Sequence, residues 1–202
     1  IPLLVLANAR SSESGNFEKS RARMLAEGTV QEMPIVGLGI EALNDVVNAM
    51  YSPNAFPPEM FSELVSRTGG NPLFARELAR HLEASGAISL HDGAYQYSRA
   101  SATLPATIEE LISGRLDILP PEALKVAEMA SCIGREFSIQ VLGGLPTLGD
   151  ADAGLAALES SGIALRIGNA AEFSHGLYQE IIYSSISARW KSKCHRELGD
   201  YY

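Results

Sequence analysis

The clearest run of alternating chemistry lies between Glu59 and Leu82. Met60, Phe61, Leu64 and Val65 recur at helical spacing, Gly69-Gly70 interrupts, and Phe74, Leu78 and Leu82 resume the same period. Glycine takes up the left-handed backbone that helix ends favour, so the first helix stops there. Asn71 then suits a helix cap, and Pro72 suits the first turn, where a missing N–H costs nothing. Upstream, the continuous apolar run at residues 2–7 predicts a buried parallel strand that ends in polar Asn8 and Arg10. A polar helix is expected over Glu18–Glu27 and a second short strand over Met33–Leu38. From Glu41 to Ser85 the spacing is helical.

Beyond Ser85 the pattern alternates between helix and hairpin. Ile88/Leu90 and Tyr95/Tyr97 flank Asp92-Gly93, the chemistry of a tight hairpin turn. Thr107-Ile108-Glu109-Glu110 is a capping-box pattern opening a helix with Leu111, Ile112 and Leu116. Pro120-Pro121 opens another with Leu124, Ala127 and Met129, and residues 137–142 are expected to form a short third helix. A fourth runs from Asp150 to Ser160 and closes at Gly162. Strands around Gly168-Asn169 form a wing, followed by helices from about His175 to Ser187 and from Arg189 onward. Helices followed by a β wing and another helix describe a winged-helix domain.

Composition narrows the classes. The chain has 202 residues, 46% hydrophobic and 20% charged, as in a soluble globular protein. No apolar run approaches the roughly 18 residues of a membrane helix. The opening residues lack an initiator Met and a basic n-region, so they do not read as a signal peptide; a start in mid-strand reads as a fragment. A net charge of −8 argues against general nucleic-acid binding. Cys132 and Cys194 have no CxxC or Cys/His spacing and read as reduced thiols of a cytoplasmic protein, without a metal site. Gly37-Leu38-Gly39-Ile40-Glu41-Ala42 matches a dinucleotide fingerprint, but Phe56-Pro57-Pro58-Glu59 stands where its second strand is required.

Several motifs, in order, carry a family resemblance. Gly69-Gly70-Asn71-Pro72-Leu73-Phe74 before an amphipathic helix resembles the lid of the STAND ATPases, signal-transduction relatives of AAA+ proteins. Leu104–Ile108, Arg115–Pro121 and Ile133–Phe137 look like the ATPase regions beside bacterial adenylate cyclases, LuxR-type regulators and some kinases. Phe173-Ser174-His175-Gly176-Leu177 resembles the Met-His-Asp motif of related nucleotide switches, with Gly176 in place of the motif's Asp.

The resemblance implies a mainly α fold with small β elements in four parts. Residues 1–38 would hold the last strands of a parallel P-loop sheet and 39–100 a helical lid with a hairpin. Residues 101–188 would form a winged helix, and 189–202 would start a helical arm. It also implies ATP/ADP with Mg²⁺ in the parent protein. Pro72 would pack on the adenine, with Gly70 and Asn71 beside it. Asn8 or Arg10 would stand near the γ-phosphate, and His175 would contact the β-phosphate. Pro72 and His175 are expected to converge on one pocket edge. No GxxxxGK[ST] loop occurs in the chain, so the piece would be non-catalytic by itself.

The implied function is a nucleotide switch controlling an attached effector: a cyclase, a kinase or a transcription regulator. A nucleotide-independent interaction scaffold, reached through the basic last helix with Arg189, Lys191, Lys193 and Arg196 around Trp190, is the alternative. DNA binding is disfavoured because the helix before the wing carries Asp150, Asp152 and Glu159 and no Lys or Arg.

Overall fold

In the computed structural model, residues 4–6, 8, 16–102 and 104–202 are described. The chain divides into two units, Ile1–Gly37 and Leu38–Tyr202.

The first unit contains α1 (Asn16–Ala26), which ends at Gly28 with φ +66°. Arg21 holds Glu18 and Glu32, each at 2.5 Å. The parallel strands expected at residues 2–7 and 33–38 are not formed among the described residues: Leu4, Val5 and Leu6 are exposed, as are Met33, Ile35 and Val36. A parallel strand is stable only with neighbours that take up its backbone groups and cover both faces. No described strand pairs with either segment, and both described sheets are antiparallel. Arg10 falls outside the described residues.

The second unit is built on two hydrophobic cores. The first gathers α2 (Ile40–Met50), α3 (Pro58–Thr68), α4 (Pro72–Ala84) and the hairpin β1 (Ile88–His91)/β2 (Ala94–Tyr97). Leu90 pairs with Tyr95 and His91 with Ala94. Asp92 and Gly93 both have positive φ, +49° and +82°, the double left-handed turn that suits the right-handed twist of the strands. Tyr51 stacks edge-on to Tyr95 at 5.1 Å and to Phe56 at 6.1 Å, so this core closes over aromatic rings.

The second core gathers α5 (Ile108–Asp117), α6 (Pro121–Ile133), α7 (Ile139–Gly143), α8 (Ala151–Ser160), α9 (Gly176–Ser185) and α10 (Ala188–Tyr201). A three-stranded antiparallel sheet joins them, in the order β3 (Glu136–Ser138), β5 (Ala170–Phe173), β4 (Ala164–Ile167). The helix expected over 137–142 is therefore shorter and preceded by a strand. Phe137 pairs with Ala171, and the Ser138 side chain accepts from the Val141 N–H to start α7. Gly154 lets α8 approach α6: a Cβ there would stand 2.6 Å from Val126 Cγ2 and 3.0 Å from the Glu122 carbonyl oxygen.

The capping box that opens α5 is at Thr107 and Glu110 as expected, with only its return bond shifted by one residue. Thr107 Oγ1 accepts from the Glu110 N–H, and the Glu110 carboxylate accepts from Ala106 N–H at 2.8 Å. α5 also belongs to both cores. Leu111 is buried in the first, Ile112 and Leu116 in the second, and Ile108 packs against each. Helix α10 docks on the second core through Cys194 and Leu198, while Arg189, Lys193 and Arg196 stay exposed.

Candidate functional site

The α3–α4 corner takes the shape its residues dictate. Gly69 and Gly70 adopt positive φ, +58° and +75°, and the Asn71 side chain accepts from the Leu73 and Phe74 N–H groups. Pro72 occupies the first turn of α4 and is exposed, as Asn71 is. Thr68 tightens the turn: its hydroxyl donates to the Leu64 carbonyl at 2.7 Å and accepts from the Gly70 N–H at 3.3 Å. The Gly70 carbonyl, buried with its residue, accepts from the Leu38 N–H at 2.8 Å. The chain entering α2 is thereby pinned to the corner.

His175 is the N-cap of α9. Its Nδ1 accepts from the Leu177 N–H at 3.1 Å, so the ring's N–H is on Nε2. A helix N-terminus favours negative charge. The Arg135 side chain passes beside it, with Cδ 4.0 Å from where a Gly176 Cβ would stand. Its guanidinium lies 3.8 Å from Glu172, at the edge of an ion-pair contact. Asn8 is exposed and belongs to the other unit.

Further along these two helices lies a cluster that sequence reasoning missed. Glu77 on α4 is 1% exposed and carries a carboxylate. Arg115 of α5 donates from Nη1 to Glu77 Oε2 and to Tyr178 Oη, the latter at 2.6 Å, and from Nη2 to the Ser161 carbonyl. Arg80 reaches the other Glu77 oxygen at 3.5 Å, and its guanidinium lies against Gly162. One guanidinium thus links α4, α5, α9 and the turn that follows α8. Burial raises the Tyr178 hydroxyl above its ordinary value of 10.0; Glu77 adds to the rise and Arg115 opposes it. The available signal in the sequence is position: Glu77 stands three residues after Phe74, on the face where an apolar side chain is expected.

The remaining candidates hold less. A groove of about 370 Å³ lies over Asn44, Asn48 and Asn54, whose side chains form a hydrogen-bonded chain at 2.9 and 2.7 Å. A second, of about 460 Å³, lies along β3 and the β4–β5 turn. Neither is lined by Gly70, Asn71, Pro72 or His175. Cys132 and Cys194 are free thiols in mutual contact, and burial first of all pushes Cys194 up to about 12. Among the described residues no group of His, Cys, Asp and Glu is arranged to hold a metal ion. Arg166 on β4 lies 3.5 Å from Asp152 and 3.4 Å from Glu159, so the wing's cation is already taken up by α8.

No family model, no curated protein and no solved structure matches the chain.

Proposed function

We propose that the chain is the regulatory part of a STAND-type nucleotide switch, in which a helical lid and a winged helix close over ADP and release when ATP replaces it. The reading rests on the order of its motifs. The observation that carries it is the Arg115 bridge: one guanidinium nitrogen touches Glu77, five residues into α4 from Pro72, and Tyr178, three residues past His175. At 1.5 Å of rise per residue these contacts lie about 7.5 and 4.5 Å along their helices from Pro72 and His175. Both helices that carry the candidate residues are thus tied to one junction, which supports a ligand shared between them. Asn71 and Pro72 build an exposed corner for an adenine face, and His175 presents Nε2–H next to an anion-favouring helix end.

In this reading residues 1–38 complete a P-loop sheet whose other strands, with the phosphate loop and the Mg²⁺ ligands, come from upstream sequence. The apolar side chains of Met33, Ile35 and Val36 would be covered there. The effector would be a cyclase, a kinase or a transcription regulator attached to the same polypeptide, in the cytoplasm. A nucleotide-independent scaffold is supported by one feature, the exposed Arg189, Lys193 and Arg196 on α10, which suit an acidic protein partner.

The test is calorimetry of ATP and ADP on the full-length protein carrying this chain and its P-loop, alongside three variants. Pro72→Ala and His175→Ala should each weaken ADP by about tenfold, or 1.4 kcal/mol. His175→Asn keeps a side-chain acceptor for the α9 cap and loses Nε2, so it should weaken ADP without lowering the melting temperature. Absence of nucleotide binding, or binding that none of these changes disturbs, would overturn the switch in favour of the scaffold.

A further inference from the structure

Two hydrophobic cores meet in the second unit, and the charged cluster sits where they meet. On one side is α4, whose Phe74, Leu78 and Leu82 belong to the first core. On the other are Tyr178 and the Ser161–Gly162 turn, joined to the second. A buried carboxylate is costly to desolvate, and well-packed apolar side chains in its place are often as stabilising or more so. What a charged cluster supplies instead is direction. An arginine fork that must satisfy a carboxylate, a phenol and a carbonyl at once fits in one geometry, whereas apolar surfaces slide.

The surroundings meet that requirement. Arg115 has three acceptors on three different segments, and Glu77 has an arginine on each oxygen. Side-chain exposure is 1% for Glu77 and 16% for Arg115, but 34% for Arg80, so one edge of the cluster touches solvent. Helix α5, shared by both cores, can act as the joint about which they would part.

We propose that Glu77 is the keystone of a releasable latch which, through Arg115, Arg80 and Tyr178, docks α4 on α9 and the Ser161–Gly162 turn and couples the two cores into one cooperative unit. Breaking the latch frees the relative position of the cores and leaves each one packed. The proposal rests on the two cores and does not require nucleotide. Measured without nucleotide, its failure is separate from failure of the switch reading.

Hydrogen exchange on the chain tests it. Glu77→Gln removes the charge at constant shape and leaves two arginines facing each other. Exchange should rise about tenfold in α4, α5, the 161–162 turn and the first turn of α9, while α6 and α8 change by less than about twofold. Arg115→Lys keeps the charge but not the fork, and Tyr178→Phe keeps the ring but not the hydroxyl. Both should give the same local pattern at smaller amplitude. These two variants decide the matter should Glu77→Gln fail to fold. A rise spread evenly over α6 and α8 would make the cluster an ordinary part of one core and overturn the latch, and so would unchanged exchange in all variants.

Discussion

The two cores of the 38–202 unit solve the same packing problem with different parts. The first uses rings: buried Tyr51 and Phe61 and half-buried Phe56 and Tyr95, the last on the hairpin, meet edge to face or tilted. The second brings two helices together at a small residue: Gly154 on α8 lies against Glu122 and Val126 of α6, with Ala123, Ala127 and Ala130 of α6 buried in the same core. Rings fill space with few atoms to order, so an aromatic core fails when a ring is removed and a cavity is left. A close helix pair fails the other way, when an atom is added and the backbones must separate. Sensitivity to deletion and sensitivity to insertion should therefore be distributed unequally.

The largest expected effect would blur that contrast rather than support it. Phe173 is 0% exposed and stacks on Phe137 at 5.3 Å, the one ring pair inside the second core. Phe173→Ala should cost about 3–5 kcal/mol, and urea unfolding followed beside Phe61→Ala, whose ring is 6% exposed, should show the smaller loss at Phe61. Next comes Gly154→Ala, expected to cost about 1–3 kcal/mol because the new methyl meets a backbone carbonyl as well as a movable valine. A neutral result in thermal melting would show that α6 and α8 are not held as closely as described.

Alkaline titration probes each core through its own tyrosine. Tyr51 donates to Glu83 at 2.9 Å, and burial first, then that carboxylate, raises its hydroxyl above the ordinary 10.0. Tyr178 is raised mainly by burial as well. A raised value means the folded state holds the proton longer than the unfolded one. The stability contributed by both is thus complete below about pH 10 and is lost as the pH climbs toward the raised values. Tyr51→Phe should flatten part of the fall in melting temperature above about pH 10, and Tyr178→Phe another part.

The smallest effects compare the two helix starts. Asn71→Ala deletes a cap that serves two N–H groups and should cost about 1 kcal/mol in denaturant unfolding. His175→Asn exchanges one acceptor for another and should stay within about 0.5 kcal/mol. Equal losses at the two positions would mean that His175 does more in the folded chain than cap α9.

Much of this architecture was legible in the residues because its signals are local. Asp92-Gly93, Asn71-Pro72, Thr107 with Glu110 and Gly168-Asn169 each specify a turn or a cap from chemistry only a few residues long. Two features escaped because their cause lies far along the chain. Phe137 sits at helical spacing with Val141, and only its pairing with Ala171 draws it into a strand. Glu77 stands out only by its place on the apolar face of α4, and the partner that accounts for it, Arg115, comes from another helix. The apolar runs at 2–7 and 33–38 show the reverse. The local pattern is that of a strand, and no described strand pairs with either one to make it so.

The double membership of α5 bears on how this polypeptide can be divided. A cut before Thr107 would hand Leu111 to the C-terminal piece and leave the aromatic core with an open slot where that leucine stood. A cut after Asp117 would take Ile112 and Leu116 from the other side, together with the arginine that Tyr178 holds. Neither half could be expressed alone without inheriting a wound. The shortest piece that closes on itself runs unbroken across the junction.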